Sequence, residues 1–278
     1  MIDRRGSTSK LKRKQMDSMD HNTHHEGIKT LKVNKVCNFS GNSDLCICVV
    51  TWNMNGQVVY EDLVELVGSN SKCDLLVVGL QEVPRKNIAP LLQTALADTH
   101  VLLGKAIMQS LQLYVFGTQN SGIFIKELKV DKHSVGGCGG LIGRKKGAVA
   151  IRVERNSQCR HISHSLFSKH RNPYSKPAQV TVWLGDLNYR IQGIKTHPVR
   201  NLIQKNLHRL LTGKDQLLQE AERGQVRVPS WTDRILFKIQ DMEEIRASLH
   251  SYESVDDIHS SDHKPVKAHL CLKVNEQP

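Results

Sequence analysis

From residue 45 onward the chain alternates short apolar runs, rich in β-branched residues, with polar or amphipathic segments. Residues 45–52, 74–80, 111–117, 121–128, 147–153, 179–184, 234–239, 245–250 and 266–272 have the length and composition of strands. Helical spacing appears at 61–67, 87–97, 163–169 and 198–211, the last with Val199, Leu202, Ile203, Leu207, Leu210 and Leu211 on one face. A further helix is expected over 214–223, closed by Gly224. Strands outnumber helices and do not alternate with them one for one. The expectation is a strand-rich α/β domain with hairpins, not a repeated βαβ unit. Before residue 43 no apolar period is sustained: Arg4, Arg5, Lys10, Lys12, Arg13 and Lys14 lie among serines, glycines and histidines. Residues 1–42 are therefore expected to be a disordered basic segment, and 43–278 the folded domain.

Charge sharpens this picture. A net charge of +12 and a pI near 9.4 favour anionic partners: nucleic acid, inositol phosphates or an acidic membrane leaflet. No apolar run approaches the roughly 18 residues that span a bilayer, and the first residues are charged, so a reducing cytoplasmic setting is expected. Seven scattered cysteines without a Cys-x-x-Cys fit buried thiols better than a disulfide framework. Cys46 and Cys48 share one face of an expected strand, which alone does not make a zinc site. The glycine-rich run 136–143, followed by Arg144, Lys145 and Lys146, lacks the Gly-Lys-Ser/Thr ending of a phosphate loop and lies between two strands. It reads as a basic hairpin able to touch anionic headgroups.

Polar groups clustered where apolar runs end are costly to desolvate, so such clusters mark sites more often than cores. Asn53 and Asn55 follow the first run and Glu82 follows the second. Neutral amide and carboxylate oxygens with water suit Mg²⁺, although Asn55-Gly56 also reads as a turn. Asp186 and Asn188 alternate past a strand end, where a carboxylate orients water and an amide donates, with Arg190 two residues on as a phosphate clamp. Asp233 and His263 form a second pair, the carboxylate fixing the imidazole's tautomer. Asp262 either binds the metal or its water, or caps a turn. His161 and His164, spaced i, i+3, read as a solvated helix face.

The segments TWNMNG, GLQEVP, GGLIGRKKGAVAIRV, WLGDLNYRI, VPSWTDRILFK and SDHKPV resemble the inositol polyphosphate 5-phosphatases, the shorter plant members most closely, over about residues 45–273. The resemblance implies a DNase I-like α/β fold: a four-layer sandwich of two packed mixed β-sheets flanked by helices. It implies Mg²⁺-dependent removal of the 5-phosphate from phosphoinositides such as PtdIns(4,5)P2, at an anionic membrane surface and not on nucleic acid. Carried over by motif, Asn55 and Glu82 bind Mg²⁺ with Asn53 in support. Asp186 activates water held by Asn188, His263 oriented by Asp233 polarises the phosphoryl group, and Arg190, Arg234 and Lys264 add positive charge.

Two family segments are absent, near 154–158 and near 224–227. The first is a strand ending in a His-Leu motif, and the second a Pro-Thr-Tyr-Lys-Tyr stretch that contacts substrate phosphate. The expectation is a sheet short of one strand and an impaired enzyme, the alternative being a protein that only binds phosphoinositides.

Overall fold

The computed structural model describes residues 44–68, 73–84, 86–97, 99–118, 125–135, 146–155, 163–165, 178–205, 207, 209–216, 219, 232–240 and 245–274. The expected N-terminal tail, the basic 136–145 segment and most of the helix expected over 214–223 lie outside these residues.

The first two apolar runs form β1 (Asp44–Asn53) and β2 (Leu75–Gln81), adjacent and parallel, with α1 (Tyr60–Gly68) between them in the chain. After α2 (Ala89–Leu96) come the antiparallel neighbours β3 (His100–Met108) and β4 (Leu111–Thr118). Near the C-terminal end, β10 (Ile245–Ser254) and β11 (Val266–Val274) form a second antiparallel pair. These six strands make one mixed sheet in the order β10-β11-β1-β2-β4-β3.

A second mixed sheet holds β5 (Ile125–Val135), β6 (Lys146–Arg155), β7 (Ser163–Ser165), β8 (Val180–Asp186) and β9 (Asp233–Ile239) in that order. The helices α3 (Thr196–Gln204) and α4 (Arg209–Thr212) separate β8 from β9 in the chain.

Two hydrophobic layers hold the domain together. Leu45, Ile47 and Val49 of β1 pack toward Val182, Leu184 and Ile235 of the second sheet. Cys48, Val50 and Trp52, on the opposite face, meet Leu63 and Leu66 of α1 and Leu92 of α2. With both faces covered, β1 reads in sequence as a continuous apolar run without alternation. Gly79 of the first sheet lies against Leu184 of the second, where an added Cβ would be 2.4 Å from Leu184 Cδ1.

Four sequence expectations change. β3 was not foreseen: it is an edge strand with a bulge between Leu102 and Gly104, so its burial does not alternate. Residues 163–165 are β7 and not the start of a helix, because their backbone groups pair with Arg152–Glu154 of β6. The helix expected over 198–211 is broken into α3 and α4, with Leu207 N bonding back to Leu202 O, five residues earlier. Cys48 and Cys73 are joined as a disulfide, their Cα atoms 5.9 Å apart, whereas Cys46 and Cys271 are buried outside any disulfide.

Candidate active site

Parallel pairing of β1 with β2 brings Asn53 level with Gln81, so both chains enter loops at the same edge. Backbone bonds lock those loops together, Met54 N to Gln81 O and Gly56 N to Glu82 O, both at 2.9 Å. The Asn53 carbonyl oxygen of the side chain accepts Asn55 N at 3.0 Å. Asn55 and Glu82 have positive φ, 45° and 52°, and Asn188 joins them at 57°. Left-handed backbone is uncommon outside glycine, so three such residues at one edge mark a geometry held by its surroundings.

The second sheet reaches the same edge. β8 ends at Asp186, directly opposite Asp233 at the start of β9. Asn53 Nδ2 donates to Asp186 Oδ2 at 3.3 Å, joining the two sheets, and Asn188 N donates to Asp186 Oδ1 at 2.9 Å. Both carboxylate oxygens are thereby fixed. Arg190 is exposed and donates through Nη2 to Asn188 Oδ1 at 3.3 Å.

His263 arrives on the loop before β11, its backbone held at two points. Trp52 Nε1 donates to its carbonyl at 3.1 Å, Ser261 Oγ accepts its backbone N–H at 3.1 Å, and the same hydroxyl donates to Asn53 O at 2.7 Å. Its Nδ1 donates to Asp233 Oδ2 at 2.6 Å, with the imidazole 23% exposed and the carboxylate 4%. Nε2 is thus the ring nitrogen that Asp233 does not engage. Burial opposes charge on this imidazole. The bond to Asp233 and the negative charges of Asp233, Asp186 and Asp262 outweigh it, so the pKa stands above the ordinary 6.5. Burial likewise raises the Asp233 carboxyl above 3.8, against the lowering effect of His263.

Asn53, Asp186, Asp233 and His263 therefore converge from four strand ends, with Asn188 and Arg190 beside them. Asn55 and Glu82 sit on the two bonded loops, and Asp262 is exposed next to His263. Two expected phosphate contacts do not belong here. Arg234 is 1% exposed, and its Nη2 donates to the buried Asp215 Oδ2 at 3.0 Å. Lys264 Nζ is engaged by the carbonyls of Asp256, at 2.9 Å, and Ile258, with His259 Nδ1 also at 2.9 Å, so its charge secures the loop before β11.

Trp52, Ser261 and Asp215 were not singled out as positioning groups from sequence. Trp52 and Ser261 act through backbone carbonyls, which leave no residue-type signal. A buried arginine demands a carboxylate partner, so Asp215 was findable once Arg234 was placed inside.

The Endonuclease/Exonuclease/phosphatase family 2 matches the chain in three pieces, residues 50–154, 153–226 and 224–269. The chain is 52% identical to the type IV inositol polyphosphate 5-phosphatase 11 of Arabidopsis thaliana, over an alignment of 301 residues covering 90% of this chain and 89% of the relative. It is 25% identical to the phosphatidylinositol 4,5-bisphosphate 5-phosphatase A of Mus musculus over 82% of its own length, spanning 31% of that protein. The solved inositol polyphosphate 5-phosphatase domain of a synaptojanin, in complex with inositol (1,4)-bisphosphate and calcium ion, superposes with a TM-score of 0.63. That match covers 83% of this chain and 86% of the other at 22% identity. Cimex nitrophorin in its ferrous NO complex matches at 0.61 with 19% identity over 84% and 100% of the two chains, which shows a shared fold alone.

Proposed function

The chain belongs to the inositol polyphosphate 5-phosphatase family, and from that we propose that it removes the 5-phosphate of phosphoinositides such as PtdIns(4,5)P2 in a Mg²⁺-dependent reaction. The observation that carries the reading is the meeting of Asn53, Asp186, Asp233 and His263 at one edge, from strands far apart in sequence.

Hydrolysis of a phosphomonoester requires an aligned water and compensation of charge on the phosphoryl oxygens. Asp186, with Oδ2 held by Asn53 and Oδ1 by Asn188 N, is the fixed carboxylate that orients the water and takes its proton. Asn188 holds that water. His263, charged below its raised pKa, offers Nε2–H to a phosphoryl oxygen while Asp233 keeps the ring in register. Arg190, exposed beside Asn188, supplies the remaining positive charge.

The donors around the loop pair are oxygens alone: the Asn55 amide and the exposed Glu82 carboxylate, with Asn53 and Asp262 adjacent. Hard, partly hydrated Mg²⁺ fits such a set. When bound, it neutralises charge developing on the phosphoryl oxygens.

We also propose that the chain lacks two stretches of the family's length. An alignment of 301 residues against a chain of 278, and family matches that meet at 153–154 and 224–226, support this reading. So does β7, which spans three residues and pairs with β8 at the single position His164–Val180. These absences favour turnover slower than that of longer relatives, and they sustain the second reading of a phosphoinositide binder. With a net charge of +12, either protein would sit peripherally on anionic cytoplasmic membrane. No helix among the described residues is long and apolar enough to cross one.

Phosphate release from short-chain PtdIns(4,5)P2 tests the proposal. Release that EDTA abolishes, and that Asp186→Ala lowers by about 100-fold or more, is expected. Lipid capture without release, in a variant-insensitive manner, would leave only the binder.

A further inference from the structure

We propose that Cys46, His269 and Cys271 form a binding site for a soft divalent cation of the zinc class, completed by Cys48 when the Cys48–Cys73 disulfide is reduced. The site lies on the helix-facing side of the six-stranded sheet and does not depend on the hydrolase reading.

The β1–β11 register sets Cys46 directly opposite Cys271 and Cys48 directly opposite His269. Residues two apart on a strand share a face, so the four side chains occupy a two-by-two patch. The donor atoms of Cys46, His269 and Cys271 already lie within 4.8 Å of one another. Tetrahedral zinc, with bonds of about 2.3 Å to sulfur and about 2.0 Å to nitrogen, places its donors roughly 3.3 to 3.8 Å apart. Side-chain rotation on a rigid two-strand ladder closes that difference.

The surroundings are those of a closed soft-metal site. Cys46, Cys48 and Cys271 are 2%, 5% and 9% exposed, and Cys48 packs within the apolar layer against the helices. His250 of β10 stands beside His269 with ring centroids 5.4 Å apart, and its Nε2 is 3.0 Å from Ser248 Oγ, which confines the ligand ring on that side. Cys48 is opposite His269 yet joined to Cys73. A dithiol releases it: two electrons and two protons pass to the protein disulfide, giving Cys48 and Cys73 thiols, while the dithiol becomes a disulfide. Cys46, Cys48 and Cys271 each then lose a proton on binding the ion, and neutral His269 supplies the nitrogen.

The test uses the full chain, reduced with a dithiol and titrated with Co²⁺ and then Zn²⁺. One equivalent of Co²⁺ should produce a thiolate-to-cobalt charge-transfer band that Zn²⁺ abolishes. Cobalt held by the oxygen donors near Glu82 gives no such band. Cys46→Ser and Cys271→Ser should each weaken binding by about tenfold or more. A chain carrying Cys37→Ser, Cys138→Ser and Cys159→Ser together leaves the ladder untouched and should keep the band in full. Absence of the band in the reduced native chain, or its loss in that triple variant, overturns the proposal.

Discussion

The charge on His263 is decided by a contest between burial, which disfavours the imidazolium, and three carboxylates, which favour it. Because the folded pKa is raised above the unfolded 6.5, its stabilising contribution is complete below that value and disappears as pH rises through the folded pKa. Asp233→Asn removes the strongest favourable neighbour and leaves burial dominant, so the imidazole should titrate at lower pH than in the native chain. Histidine NMR titration checks this, and the alkaline fall in turnover should move down with it. A titration unchanged by the substitution would deny the pair its role. That Asp186, Asp233 and His263 meet at one edge was legible in sequence, because a carboxylate at the end of an apolar run has few cheap alternatives to clustering with other polar groups. Arg234 was misplaced despite an available signal. Strand neighbours face opposite ways, so an Asp233 turned toward His263 commits Arg234 to the other side, where Asp215 waits.

Among the elements, the strands buried on both faces were the easiest to read, since a short run with six consecutive buried positions, as in β2 before Gln81, is too short for a helix and too apolar for a loop. What escaped was local pattern overruled by pairing: β3 at an edge, and β7, whose polar Ser163-His164-Ser165 has no strand signature of its own. Where Leu184 packs on the first sheet, the fit depends on the missing side chain at Gly79. Gly79→Ala would drive a methyl into Leu184, and stability in urea denaturation should fall by about 1 to 3 kcal/mol. Leu184→Ala in the same chain should lessen that increment, because the clash has one partner. Additive losses would instead mean that the methyl is accommodated elsewhere. Asp186 ends the strand that carries Leu184, so this packing also sets the height of the edge where Asp186 meets Asn53.

For the molecule as a whole, the two packed mixed sheets were expected only through the family resemblance, since no local pattern states which strands will be neighbours. Its excess of basic residues acts at longer range. Sedimentation with vesicles containing PtdIns(4,5)P2 should weaken steeply as salt rises from about 0.05 M to about 0.5 M, where the screening length shrinks several-fold. Salt-independent binding would instead point to apolar insertion. The six-stranded sheet also carries a constraint on order of assembly. β1, its third strand, is made early, yet one of its two neighbours is β11, which is separated from it in the chain by all the other described strands. During synthesis β1 must wait with an open edge until β11, which follows every other described strand, emerges from the ribosome, a long-range closure that is slow and exposed to aggregation. A nascent chain halted before Val266 would thus be a client for chaperones and not a smaller version of the enzyme.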